Sequence, residues 1–297
     1  MNKNNRNQIQ FFILVIFVFI TCILINNLII NLSRAGLGFD LSWLMKPASF
    51  ALAEHVLPYK TSDTYAWAIF IGWLNSIKII FFSLILSTFI GSVIGFSRIS
   101  KNRIIKIISS GYITIIRQTP LLLQLMFWYF VGFLGLKDNE LILIKDIFII
   151  SNQGITFSGL KLSSEFAALL FGLSIFTSAY IGEVIRGGIN SVSKGQWEAF
   201  RTIGLSERKG LFKIILPQAL PAIIPGLTSQ YLNLAKNSTL AIAIGYSDIY
   251  AINDTIINQT GRAIECFIIL LASFLLLNLI ITNFMEIFNK KVIKLIE

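Results

Sequence analysis

Charged residues, histidine and cysteine are all scarce in this chain. Asp, Glu, Lys and Arg make up 13% of the 297 residues, against roughly 25% in soluble domains. The single histidine is His55, and the two cysteines, Cys22 and Cys266, lie far apart in apolar runs. These scarcities argue against an ordinary soluble enzyme, a disordered chain, a zinc motif and a disulfide framework.

The sequence also lacks a phosphate-binding GxxxxGK[ST] loop. We therefore expect this chain to bind no nucleotide or other cofactor by itself. What it has instead is 55% hydrophobic residues, which indicates a polytopic membrane protein. Its net charge is +10, from 25 Lys and Arg against 15 Asp and Glu. In a membrane protein this excess is typical of cytoplasmic loops, so we predict no nucleic-acid partner.

Five apolar runs are long enough, or nearly so, to cross a bilayer as helices, because about 20 apolar residues span its hydrocarbon core. These runs are residues 11–30, 66–96, 166–185, about 221–245 and 263–288. The basic start of the first run is typical of a signal peptide. The run is longer than the usual apolar core of such peptides, however, so we predict a retained anchor.

A sixth span is predicted at residues 120–136, which are apolar but few. The span is long enough if the apolar stretch 104–116 leads into it as a kinked helix. Thr119 is the expected cap of this span, and Pro120 occupies the first turn, where proline is tolerated.

Residues 141–157 are rich in Ile and Phe but contain Lys145, Asp146 and a turn-like Ser-Asn-Gln-Gly. A strand or loop outside the membrane is the favoured interpretation, and entry into the bilayer is the alternative that the central charges oppose.

The basic residues orient these spans. With the N-terminus inside, 16 Lys and Arg lie on the inner side and 7 on the outer side. Because inner loops are enriched in Lys and Arg, the sequence predicts six spans with both termini cytoplasmic.

The most polar long stretch on the inner side is residues 191–221. Residues 198–203 predict a short helix that ends at Gly204, and residues 208–216 predict a second helix that ends before Pro217. Two short helices at a fixed angle suit a device that transmits force from a soluble partner, whereas the alternative is a solvated connector.

This stretch resembles the EAA signature of ABC importer permeases, EAA-x3-G-x9-I-x-LP. The third position departs from it, with Phe in place of the second Ala. The matching and departing residues are Glu198, Ala199, Phe200, Gly204, Ile214, Leu216 and Pro217.

Four further segments are similar to amino-acid permeases of this family, and the last is closest to the general L-amino-acid subgroup. They are Arg117–Pro120 followed by Gln124, Tyr180–Ile189, Ser229–Leu240 and Asn258–Glu265. The resemblance implies an all-α bundle of the type I importer permease kind, with about six spans and a cytoplasmic two-helix coupling loop. It implies a bacterial inner (plasma) membrane location.

The resemblance also divides the chain. An N-terminal anchor and periplasmic loop occupy residues 1–65, and the permease domain occupies 66–290. Within the domain, 137–163 is a periplasmic insertion and 191–221 is the EAA loop, and 291–297 is a cytoplasmic tail.

Partners and activity follow from the same resemblance. A periplasmic binding protein would deliver an amino acid to two permease subunits, and the subgroup favours a heterodimer. Two separate ATPase subunits would bind ATP and Mg, so this chain would be a transport subunit and no enzyme. In the loop, Glu198 would cap or salt-bridge the docking helix, Ala199 would permit close approach, and Gly204 would allow the bend. A self-sufficient secondary transporter and a membrane enzyme are the alternative functions.

The resemblance also implies a substrate path through the membrane with groups for a carboxylate and an ammonium, and the intramembrane polar residues are the candidates for it. Lys236 is the foremost candidate, because a lysine at a helix centre costs roughly 2.5–3.5 kcal/mol and should face a cavity or a partner charge. The alternative is that it pairs with a neighbour and only holds helices together. Asn237, Gln118, Thr119 and Gln124 complete the candidates, with interhelical packing as the alternative.

Three other charged residues need polar partners in the predicted spans. Glu183 and Arg186 are one helical turn apart, which predicts an ion pair or a gate contact. Lys78 is too deep in its span to reach water easily, so a polar partner is expected.

Overall fold

The computed structural model describes residues 3–34, 39–136, 141–144 and 147–294. The first long helix, α1, is Lys3–Arg34, and a 3₁₀ turn at Ser42–Met45 follows outside it. Helix α2, Tyr65–Arg98, begins where the Thr64 hydroxyl accepts a hydrogen bond from the Trp67 amide at 3.2 Å. Both helices contain the apolar runs that predicted them.

The predicted kinked span is a helix pair with a sharp break. Helix α3, Arg103–Gln118, is followed after the break by helix α4, Leu121–Met126, and the whole helical segment Leu121–Leu136 differs from α3 in direction by 104°. A wide π turn, Phe127–Phe133, and a 3₁₀ turn, Leu134–Leu136, complete the crossing.

The expected cap by Thr119 is wrong. The residue that caps α4 is Pro120, whereas the Thr119 hydroxyl donates backwards to the Ile115 carbonyl at 2.8 Å. Thr119 precedes a proline, which favours extended backbone, and its ψ of 128° places it in the break itself.

The insertion between the bent α3–α4 span and the next long helix is a four-stranded antiparallel sheet, whose strands lie side by side in sequence order. Its strands β1 to β4 are Leu141–Ile144, Phe148–Ser151, Gly154–Phe157 and Leu160–Ser163. Strand is thus confirmed for the 141–157 segment. Residues 137–140 and 145–146 lie outside the described residues. The second of these ranges carries the central charges, Lys145 and Asp146.

Helix α5, Ser164–Asn190, leads into the loop at residues 191–221, which is predicted to be cytoplasmic. The loop contains α6, Lys194–Thr202, and α7, Glu207–Gly210. A π turn, Leu211–Ile215, then joins α7 to α8, Leu216–Asn237.

The predicted end of the second loop helix before Pro217 is wrong. Residues Glu207–Ile244 run as one helical segment of 38 residues. Proline cannot donate a backbone hydrogen bond and crowds the preceding turn, but here it lies in the first turn of α8, directly after the wide π turn. The helix therefore passes the proline without stopping.

The chain ends with two further helices. A 3₁₀ segment, Ser238–Ile244, precedes α9, Ile249–Thr260, which the sequence analysis did not anticipate. Helix α10, Ala263–Lys294, follows. Among the described residues, five helices are long and apolar enough to cross a membrane, and the bent pair brings the number to six if it crosses as one span. The all-α, six-span architecture is confirmed.

Close packing of α2 on α5 forms the centre of the bundle. A Cβ at Gly91 or Gly95 would lie only 2.6 Å and 2.8 Å from Ile181 and Ile185, so both positions require glycine. The backbones approach closely here, as small residues permit in membrane helices.

The outer segment 39–64 folds onto the bundle through Glu54. The Glu54 carboxylate binds the Lys78 ammonium at 2.5 Å and accepts a short hydrogen bond from the Ser163 hydroxyl. The Asn75 amide donates to the backbone carbonyls of Glu54 and Ser247 at 2.9 and 2.7 Å. The expected polar partner of Lys78 is thereby confirmed.

Beside this cluster, Asp248 caps α9 by accepting a hydrogen bond from the Ala251 amide at 2.8 Å. Burial raises the pKa of Asp248 to about 7, against the opposing effect of the Ala251 and Tyr250 amides. Between pH 4 and 7 the folded protein therefore retains a proton that the unfolded chain releases, so this residue lowers stability as pH rises through that range.

We expect Asp248→Asn to become more stable relative to the parent chain as pH rises from 5 to 8. The amide oxygen keeps the cap, and the ionisation of a buried carboxyl is removed. Thermal unfolding of the detergent-solubilised protein at both pH values measures this difference in stability. Each kcal/mol of unfolding free energy corresponds to about 2–4 °C in the unfolding temperature. An equal difference between the two proteins at pH 5 and pH 8 would contradict it.

Candidate functional site

The cytoplasmic loop bends at Gly204. Helix α6 ends at Thr202, two residues earlier, and Gly204 adopts a left-handed φ of +75°. The amides of Gly204 and Leu205 donate to the carbonyls of Arg201 and Phe200 at 3.0 and 3.1 Å. The predicted glycine stop is therefore confirmed, and it sets the angle between α6 and α7.

Phe200, the departure from the EAA pattern, anchors the loop. Its side chain is fully buried, and Gly210 on α7 lies directly against it. A Cβ at Gly210 would approach the Phe200 ring to 2.3 Å. The larger side chain on α6 is thus matched by the lack of one on α7. Ile215 and Ala219 are buried in the same cluster.

Glu198 and Ala199 lie on the opposite, exposed face of α6. Within the described residues the Glu198 carboxylate has no hydrogen bond or ion pair, so the cap or salt bridge expected of it stays a prediction. The α6 cap position is occupied by Ser193, without a side-chain hydrogen bond. Both motif residues are consequently available to another protein.

Glu207 fastens the loop to the rest of the inner surface. Its carboxylate binds Lys101, in the turn after α2, at 2.6 Å and Arg201 of α6 at 3.0 Å. These pairs are exposed, and such pairs contribute about 0–1 kcal/mol each. Their effect is geometric, since they connect α2, α6 and α7. The sequence analysis missed this role of Glu207.

The predicted Glu183–Arg186 ion pair is confirmed at 2.7 Å. Arg98, at the inner end of α2, adds a second cation to Glu183 at 3.2 Å and contacts Ser110 of α3. One carboxylate on α5 therefore connects three helices at the inner end of the bundle.

Gln124 stabilises the break in the bent span. Its buried side-chain amide donates to the carbonyls of Ile116 and Thr119 at 3.0 and 3.1 Å, two groups that the end of α3 leaves without helical partners. This role supports the packing alternative for Gln124 rather than a place in the substrate path. Gln118 is exposed and Thr119 lies in the break.

We expect Gln124→Met to lower the unfolding temperature by several degrees, because unpaired buried carbonyls cost about 1–3 kcal/mol. Thermal unfolding in detergent measures the change. The matched control is Gln118→Met, which should leave the temperature unchanged, since the described residues give the Gln118 side chain no hydrogen bond. Equal effects of the two substitutions would refute the capping role.

Lys236 and Asn237 lie at a cavity of about 290 Å³ between α5 and α8. In the part of the chain that the structure describes, the Lys236 ammonium has no hydrogen bond or ion pair, and the side chain is exposed. The described contacts therefore support the prediction that Lys236 faces a cavity. They do not support its pairing with a neighbour in this chain.

The other residues that line this cavity were missed by the sequence analysis. Gln230 and Asn233 precede Lys236 on α8, and Thr177 and Tyr180 face them from α5. The Arg117 guanidinium lies 5.0 Å from the centre of the Tyr180 ring. The spacing of three residues between positions 230, 233 and 236 places them on one helix face, a signal that was present in the sequence.

Comparisons with known proteins agree with this geometry. A family model described as binding-protein-dependent transport system inner membrane component matches residues 87–294. The general L-amino acid transport system permease protein AapQ of Rhizobium johnstonii is 30% identical over an alignment covering 90% of this chain and 86% of its own.

Two solved structures share the fold. A crystal structure of an amino acid ABC transporter with histidines is 28% identical, with a TM-score of 0.61 over 76% of this chain and 95% of that chain. The MetNI methionine ABC transporter, in inward facing conformations, is 17% identical, with a TM-score of 0.58 over 76% and 96%. The chain belongs to the family of binding-protein-dependent transport system inner membrane components.

Proposed function

We propose that this chain is the permease subunit of an ATP-driven amino-acid importer and forms half of the translocation path. The observation that carries the proposal is the cytoplasmic loop. It exposes Glu198 and Ala199 on one face of α6 while Phe200 fixes the other face to α7. A loop built in this way presents a rigid surface to a partner and transmits the partner's movement.

The route of that movement is continuous helix. The segment Glu207–Ile244 begins beside the Phe200 contact and reaches Lys236 without an interruption. A displacement of α6 by a partner would therefore shift the helix that carries Lys236. The transporter would alternate between two states, each favoured by the ligand that binds it better.

The cavity at Lys236 suits an amino acid in chemical terms. An ammonium can bind the substrate carboxylate, and the neighbouring side-chain amides of Gln230, Asn233 and Asn237 can accept from the substrate ammonium. Glu183, which binds Arg98 and Arg186, would couple the inner ends of α2 and α5 during gating.

The proposed partners complete the machine. ATP and Mg would bind to a dimer of separate ATPase subunits, which dock on the EAA face of α6. A second, related permease subunit would complete the path as a heterodimer, as the subgroup resemblance implies. A periplasmic binding protein would deliver the amino acid. The chain would lie in the bacterial inner membrane with both termini in the cytoplasm.

Reconstitution tests this function. The chain would be placed in proteoliposomes with a candidate second permease, ATPase and binding protein encoded near it, and uptake of a labelled amino-acid mixture would be followed. Uptake that requires internal ATP and the binding protein is expected. Uptake by the permease chains alone, driven by an ion gradient, would overturn the proposal in favour of a secondary transporter.

A further inference from the structure

An apolar groove runs along the outside of the bundle between α2 and α10. Its outer half is a cavity of about 370 Å³ between Phe70 and Trp73 on α2 and Leu276 on α10. Its inner half, about 720 Å³, lies between Phe81 on α2 and Phe284 on α10. The two cavities are separate, but they lie one after the other along the same two helices, at residues 66–73 and then 81–92 of α2, and we refer to them together as the groove.

Helix α1 is the element without a place in the bundle. Its apolar window, Gln8–Asn31, is long enough to span the membrane, and none of it is buried inside the described chain. Two asparagines, Asn26 and Asn27, lie exposed in this window. Amide groups are costly in hydrocarbon, so a neighbour with polar groups would stabilise them.

The chain after α1 is fixed beside α10. The Asp40 amide donates to the Glu265 carboxylate at 3.3 Å, and the Asp40 carboxylate lies 3.9 Å from Arg262. Only five residues separate Arg34, at the end of α1, from Asp40. Because each of the six steps between these residues spans at most about 3.6 Å, the outer end of α1 lies within about 22 Å of this attachment point.

Depth and direction also match. Helices α2 and α10 both begin on the side where the Asp40–Glu265 contact fixes the chain after α1, so an α1 that crosses toward this side is antiparallel to both. Cys22 lies about 18 Å from the outer end of α1, at a rise of 1.5 Å per residue, and Leu276 lies about 20 Å from the start of α10. Closer to the outer surface, the groove offers the Ser273 hydroxyl to the α1 asparagines.

We propose that α1 packs into this groove of its own chain and joins the other five spans of the bundle. A short tether keeps α1 at a high effective concentration beside the groove. The gain over lipid comes from van der Waals packing and from polar contacts to Asn26 and Asn27, because burial of apolar surface alone gives no advantage in a bilayer. This inference is independent of the proposed substrate and of ATP coupling.

Cysteine cross-linking tests the packing, since Cys22 is already exposed on α1. Leu276→Cys places a second thiol in the groove, and Leu275→Cys is the matched control, also exposed and at nearly the same depth but about 100° around α10. Both variants of the full chain would be oxidised in membranes together with the partner subunits. Cys266 is buried and stays unchanged in both.

We expect at least about fivefold more intramolecular disulfide with Leu276→Cys than with Leu275→Cys, because disulfides form only when the Cα atoms lie within about 7 Å. Substituting Cys22→Ser should abolish the product. A second pair, Val18→Cys with Phe81→Cys in the Cys22→Ser chain, reports on the inner half of the groove. Equal yields at positions 275 and 276 with no product from the second pair, or cross-links between two chains, would overturn the proposal.

Discussion

Replacing Gly204 by valine is expected to reduce ATP-driven uptake about tenfold. A left-handed residue with a Cβ costs about 1–2 kcal/mol, and a β-branched residue is a pronounced outlier there. Among the described residues, nothing lies within 4 Å of a Cβ built at Gly204. The loss would therefore arise from the backbone angle between α6 and α7 and not from a steric clash within the chain.

Asparagine is the matched control at this position, because it tolerates the left-handed region far better than valine. Gly204→Asn should retain most of the uptake, and both variants should reach the membrane in similar amounts. ATP-dependent uptake in proteoliposomes and co-purification of the ATPase are the two measurements. If valine and asparagine reduce uptake and co-purification equally, the loss is caused by the bulk of a side chain at the docking surface and not by a change in the bend.

The spans could be predicted because hydrophobic length is a strong signal. The bend near Pro120 also followed from the sequence, since the apolar stretch was too short without α3. The continuation of the helix past Pro217 could not be predicted, because it depends on a π turn that no residue pattern marks. Helix α9 was missed for a related reason. It is short, and the polar residue Asn253 is buried among its apolar ones, so no long apolar run marks it.

The coupling loop was predictable in outline and not in its contacts. The motif located Gly204 and the exposed pair Glu198 and Ala199. That Phe200 turns inward, and that Gly210 makes room for it, depends on how α6 and α7 meet in space. The same limit applied to Lys78, since its partner Glu54 lies 24 residues earlier in a segment without regular structure. Long-range pairs of this kind leave no periodic signal in one sequence.

Lys236→Met is expected to reduce amino-acid uptake at least about tenfold. A hydrogen bond to a charged group contributes about 1.5–3 kcal/mol, and a tenfold change corresponds to about 1.4 kcal/mol. Methionine has a similar length and no charge, so the change removes the ammonium from the cavity and little else. Lys236→Arg, which keeps the charge, should retain more uptake than Lys236→Met. ATPase co-purification should be unchanged in both, because Lys236 lies far along α8 from the coupling loop.

A comparison with Lys78 separates transport from stability. Lys78→Met breaks the ion pair with Glu54 and leaves a half-buried carboxylate without its cation, so the unfolding temperature should fall by several degrees. Lys236→Met should leave that temperature unchanged or raise it, because the described structure gives its ammonium no partner and an intramembrane charge is removed. The decisive result is therefore lost uptake at unchanged stability. Normal uptake in Lys236→Met would show that Lys236 does not meet the substrate. A fall in its unfolding temperature as large as that of Lys78→Met would show that Lys236 holds helices together.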